Sequence, residues 1–133
     1  MANEFVVRNG LISLGGVTVP ITGVTGTYTV SENDFTVEAL SGSFTITLLN
    51  AGLYKGKLYD IKNSGVGTIT VNSLGGNVNN FPSITLAPNS NAFLQSNGTD
   101  WLLIGTDGTS GTSGSSGTSG SSGTSGSSGS SGT

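Results

Sequence analysis

The chain has no cysteine and no histidine among its 133 residues. Without cysteine there are no disulfides, thiolate metal ligands or thiol nucleophiles, and without histidine the commonest general base is missing too. Charge is sparse. Arg8, Lys55, Lys57 and Lys62 stand against seven acidic residues, a net charge of -3. With neither a basic stripe nor a basic helix, nucleic acid and anionic lipid are not expected partners. No apolar run is long enough for a membrane span or a secretion leader, so neither membrane insertion nor export by an ordinary leader is expected. No stretch carries a helical period. HExxH, Walker A, GxGxxG and EF-hand spacings are absent, and Gly65-Val66-Gly67 sits between strands rather than before a helix. No catalytic activity, metal or cofactor is expected.

Glycine, by contrast, is abundant and phased. From residue 105 it falls at every third position: Gly105, Gly108, Gly111, Gly114, Gly117, Gly120, Gly123, Gly126, Gly129 and Gly132. The positions between are Ser or Thr, apart from Asp107. Ser/Gly-rich segments are commonly flexible linkers, and this one lacks the proline that pre-sets a polyproline backbone. A linker, however, has no need to keep glycine in phase. Three chains wound on a common axis do, because only glycine fits at the centre. The tail is therefore expected to be a collagen-like triple helix with those ten glycines on its axis, which sets the stoichiometry at three.

The remaining hundred or so residues suit one modest domain. Residues 1–25 read as an arm of short extended pieces (Glu4 to Asn9, Leu11 to Leu14, Val17 to Ile21) broken by Asn9-Gly10 and Gly15-Gly16. This arm either packs on the next domain or crosses to a neighbouring subunit. Residues 26–104 hold short segments with a period of two, rich in threonine and β-branched residues. Phe35, Val37 and Ala39 are expected inward, as are Phe44, Ile46 and Leu48, and Tyr59 and Ile61. Asn97-Gly98 is the strongest hairpin signal. About eight strands at this spacing predict an all-β sandwich or barrel. The last segment, Trp101-Leu102-Leu103-Ile104, is apolar on both faces. One face can fill the subunit's core and the other needs a second cover, so these four residues are the candidates for core and trimer interface.

Glu32, Asp34, Asp60 and Asp100 fall at expected turns or strand ends, where carboxylates cap and solvate rather than form an acid pair. Tyr54 and Phe81 lie in loops and are the candidates for stacking on a host surface glycan.

Several short pieces resemble a β-domain that recurs in phage tail fibres and other viral structural proteins. They are Gly42-Ser43-Phe44-Thr45-Ile46-Thr47-Leu48, Gly56 to Gly65, Gly67-Thr68-Ile69-Thr70-Val71, Ile84 to Ser90, and Leu94 to Trp101. Phe5 to Leu11 is similar to pieces common in such fibres, which also carry Gly-x-y runs. The resemblance implies a homotrimeric fibre component, made in the host cytoplasm and displayed on the virion among other virion or tail proteins. It implies no catalytic residues. The expected organisation is an extended β arm (1–25), a trimerising β-sandwich (26–104) and a collagen-like rod (105–133). The expected role is to clamp and register three chains. A receptor- or glycan-binding adhesin serving host attachment, and a bacterial surface or spore collagen-like protein, are the alternatives.

Overall fold

The computed structural model describes residues 7–107, and the nine glycines from Gly108 to Gly132 lie outside them. The chain forms β1 (Ile21–Val24), β2 (Tyr28–Thr29), β3 (Thr36–Ala39), β4 (Phe44–Leu48), a 3-10 turn (Ala51–Leu53), β5 (Leu58–Asn63), β6 (Ile69–Ser73), β7 (Ile84–Leu86), β8 (Asn91–Ser96) and β9 (Trp101–Asp107). They make two sheets, one ordered β1-β3-β5-β8-β9 and the other β2-β4-β6-β7.

The all-β expectation is met, but the connectivity differs from a train of hairpins. Through β6 the chain alternates between sheets, odd strands entering the first and even strands the second. Each strand pairs in parallel with the one from the preceding pass, β1 with β3, β3 with β5, β2 with β4 and β4 with β6. The result is three stacked coils. Then the direction reverses: β7 runs antiparallel on β6, β8 on β5 and β9 on β8. The β8–β9 hairpin turns at Asn97-Gly98, where Gly98 takes a positive φ of 94° and Asn97 Oδ1 accepts from the N–H groups of Thr99 and Asp100.

Alternation places one apolar row from each strand between the sheets. Val37 and Ala39, Ile46 and Leu48, Tyr59 and Ile61, Ile69 and Val71, and Leu94 and Trp101 are all fully buried. Each large side chain so buried contributes about 1.5–3 kcal/mol. Trp101 satisfies its indole by donating from Nε1 to Leu49 O at 2.9 Å, and its ring lies 5.4 Å from that of Tyr59.

Polar side chains tie the coil crossings. Asn63, the fully buried last residue of β5, donates from Nδ2 to Gly67 O (2.8 Å) and Leu86 O (3.0 Å), and its Oδ1 accepts from Gly65 N (3.1 Å). Asp34 joins the first two coils. It accepts from Thr22 Oγ1 on β1, Tyr28 OH on β2 and Ser31 N. Burial alone would raise the Asp34 carboxyl, but these hydrogen bonds outweigh it and hold it below the usual range. The same contact, the hydrogen bond to Asp34 first and burial second, pushes the Tyr28 hydroxyl up.

Several local expectations change. Ile21 to Val24 belongs to the first sheet, whereas residues 7–20 form no regular strand and are exposed. Phe35 precedes β3 and is half-buried rather than inward, set edge-on to Phe93 at 6.1 Å. Phe44 is half-buried against the core. Asp60 is mid-strand, not at a turn, and accepts from Asn91 Nδ2. Gly105 is a strand residue opposite Phe93, so it cannot also be an axial glycine; a Cβ there would sit 3.4 Å from Phe93 Cβ.

Candidate functional site

The C-terminal strand links the domain to the phased glycine tail, so its two faces carry most of the functional question. Trp101 points into the core and is fully buried, and Leu103 is half-buried against the same cluster. Leu102 and Ile104 point away and remain 41% and 47% exposed. The strand therefore splits the four candidates into two inward and two outward residues. A β-bulge contributes: Leu94 pairs with Leu103 and Phe93 with Gly105, which leaves Ile104 as the extra residue.

Register defines what surrounds Leu102 and Ile104 on the outer face of this sheet. Leu102 lies beside Gln95, which lies beside Leu58; Gly105 lies beside Phe93, which lies beside Asp60. A Cβ at Gly105 would meet Phe93 in ordinary van der Waals contact, its Cβ at 3.4 Å and its Cδ2 at 3.8 Å. Phe93, half-buried on β8, is diagonal to the exposed Leu102 and touches Phe35 edge-on, while Leu58 is separated from Leu102 by Gln95. The outer face of the other sheet is of opposite character. Thr29 and Thr47 are register partners there, as are Thr45 and Thr70, and Thr47 and Asn72.

Sequence reasoning missed Phe35 and Phe93 as a surface pair. The signal was present for Phe93, which falls out of phase with the buried Ala92 and Leu94.

Tyr54 and Phe81 occupy separate loops. Tyr54 follows the 3-10 turn and is half-buried. Phe81 closes a tight turn with reciprocal backbone hydrogen bonds to Val78, at 2.7 and 3.0 Å, and the residue is 59% exposed. Asn79 and Asn80 within that turn take positive φ values of 52° and 69°, a conformation asparagine tolerates better than most residues.

The carboxylates of Asp34, Glu38, Asp60 and Asp100 are engaged in the fold. Asp34 binds three donors, Asp100 Oδ1 accepts from Asn77 N at 2.8 Å, and Glu38 accepts from Ser64 Oγ at 2.7 Å. Among the described residues, no three Asp or Glu side chains gather as metal ligands would, and no helix is long and apolar enough to cross a membrane. Compared with protein-family models, curated proteins and solved structures, the chain matches none.

Proposed function

We propose that this chain is a structural subunit of a homotrimeric fibre of the viral, phage-tail type, in which the β-domain holds three chains together and sets the register of a Gly-x-y rod. The observation that carries the reading is the construction of β9. It enters from the core at Trp101, turns Leu102 and Ile104 outward, and ends at Asp107, one residue before the phased glycines resume. A strand that presents apolar side chains where three tails would converge fits a clamp. From Gly108 to Gly132 a rod at about 3 Å per residue would extend roughly 75 Å.

A clamp is physically needed. Ordering a proline-free Ser/Thr/Gly tail costs backbone entropy of about 1–2 kcal/mol per residue, and short polar side chains return little by burial. Tethering three tails to one trimer replaces their independent association by a high effective concentration. The virion is the expected location and other virion or tail proteins the expected partners.

Size exclusion with light scattering tests the reading. A species near three times 13.2 kDa is expected, and a 13.2 kDa monomer at micromolar concentration refutes it. Gly117→Val should then lower the melting temperature of the rod while leaving the trimeric mass unchanged.

A second reading, a receptor-binding role, rests on Phe81. A rigid turn that presents an exposed aromatic ring beside two asparagines suits stacking on a sugar face. Loss of glycan-array binding on Phe81→Ala, with the mass unchanged, supports it; no binding by the intact chain refutes it.

A further inference from the structure

Residues 7–20 carry Leu11, Ile12, Leu14, Val17 and Val19, and all five are exposed, Leu14 by 96% and Ile12 by 87%. The first link of this segment to the sheets is at its end, where Pro20 O accepts from Thr36 N. Scattered exposed apolar residues are ordinary, but five within nine positions of an uncovered segment are not. Gly10 and Gly16, both at positive φ, would give such a segment its bends. The outer face of β8 and β9 is the second uncovered apolar feature, with Leu102 and Ile104 exposed on β9 and Phe93 half-buried on β8.

These two features lie at opposite edges of one sheet. The arm leads into β1, the first strand in the order, and the patch is on β9, the last. Four inter-strand steps separate them, about 19 Å. A three-fold ring is built from heterologous contacts, in which one surface of each copy meets a different surface of the next. A chain with an apolar arm at one edge and an apolar face at the other has the two surfaces such a ring requires. The tail fixes which side faces inward. It departs from Asp107, so three tails that meet on one axis draw the β9 ends of three copies together, and the patch next to the exit is where a neighbour's arm arrives.

We infer that the arm of one copy, residues 7–20, packs its apolar side chains onto the outer face of β8 and β9 of the adjacent copy. The inference rests on the trimeric reading above. It names the segment that closes the ring and explains why the arm is apolar yet unpaired within its own chain.

The test uses the full chain. Leu11→Ser, Ile12→Ser and Leu14→Ser combined change side chains that are in solvent within a single copy, so far-UV circular dichroism of the β-domain should be unchanged. The mass by light scattering should fall from three chains to one. Because the chain has no cysteine, introduced thiols are unique. Co-expression of an L14C chain with an L102C chain of different length should give a mixed covalent dimer on oxidation, and an L14C/L102C double variant should close between chains rather than within one. A trimeric wild type whose triple-serine variant stays trimeric overturns the inference and leaves the fibre reading intact. A monomeric wild type overturns both. Loss of the trimer without the L14C–L102C bond, or closure of that bond within one chain, overturns the docking face.

Discussion

Replacing Asn63 is the sharpest test of how the coils are joined. The side chain is fully buried and makes three hydrogen bonds to the backbone, to Gly67 O, Leu86 O and from Gly65 N. Asn63→Ala removes all three and leaves a gap at the turn that carries the chain from β5 to β6. An unpaired buried backbone group costs about 1–3 kcal/mol. Two of the three bonds are buried and one is partly buried, so the expected loss is about 3–5 kcal/mol. That is a large share of the 5–15 kcal/mol typical of a domain, and at this size it corresponds to roughly 15–30 °C in melting temperature.

Asn63→Asp separates shape from chemistry. One carboxyl oxygen can still accept from Gly65 N, but the other faces two carbonyl oxygens. Folding therefore favours the protonated acid, and its folded pKa lies above the unfolded value near 3.9. A raised folded pKa contributes stability that is present below the unfolded pKa and lost as pH rises through the folded one. Asn63→Asp should thus be strongly destabilised at pH 7 and regain stability relative to wild type as the pH falls toward 4. Urea unfolding followed by Trp101 fluorescence reads both variants, since this is the sole tryptophan and it is buried. A loss under about 1 kcal/mol for Asn63→Ala, or a pH-independent difference for Asn63→Asp, would refute the reasoning.

Asp34→Ala should cost about 3–4 kcal/mol through three lost hydrogen bonds, and Asp34→Asn only about 1–2, because the Thr22 hydroxyl can turn to accept from the amide. The depressed carboxyl of wild-type Asp34 contributes stability that is complete above the unfolded pKa near 3.9 and is lost as pH falls through the lower folded value, so urea midpoints of Asp34→Asn against wild type should converge in acid. Gly76→Ala should cost about 3 kcal/mol or more, because φ is +89° there and a Cβ would meet Thr99 O; thermal melts of the variant check this. Asn72→Thr should raise stability by about 0.5–1 kcal/mol in urea titrations, since Asn72 Oδ1 is buried without a partner and threonine suits a strand beside Thr47 better.

Strand positions were readable in the sequence because the faces of each strand differ in polarity. Phe44 to Leu48 and Leu58 to Asn63 alternate plainly, and Asn97-Gly98 names its own hairpin. The parallel coiling was not readable. A coil announces itself by a constant repeat, and here the connections differ in length: Thr36 stacks over Ile21 and Asp60 over Thr36, with a short link before the first pairing and a much longer one before the second. Local alternation is the same for parallel and antiparallel neighbours when the outer face is polar, so period alone leaves the partner open. Asp34 and Asn63 looked like ordinary turn residues for a related reason. Their partners on other strands, Thr22 and Tyr28 for one and Leu86 for the other, are 12, 6 and 23 residues away and become neighbours only through the coiling. The split of Trp101 to Ile104 between two faces was legible from strand geometry, but the bulge at Ile104 and the Phe35–Phe93 contact required the register.

The ends of the coil bear on how copies would assemble. Stacked coils that expose long edges invite end-to-end growth. Here the first coil ends in β1, four residues with Gly23 inside it, and β2, only two residues long. Such edges offer few backbone groups to another chain. At the opposite end the reversal into β7 and the β8–β9 hairpin changes strand direction, and loop residues Asn77 and Asn79 take up the backbone of Trp101 at the start of β9. Beyond Trp101 the edge of β9 pairs with no further strand among the described residues, and the domain also leaves open an apolar arm and the outer face beside Leu102 and Ile104. On the trimeric reading proposed above, lateral contacts would place copies side by side with their β9 ends pointing the same way. On that reading, the short β1 and β2 edges and the apolar flank suit contacts side by side rather than growth along the coil axis.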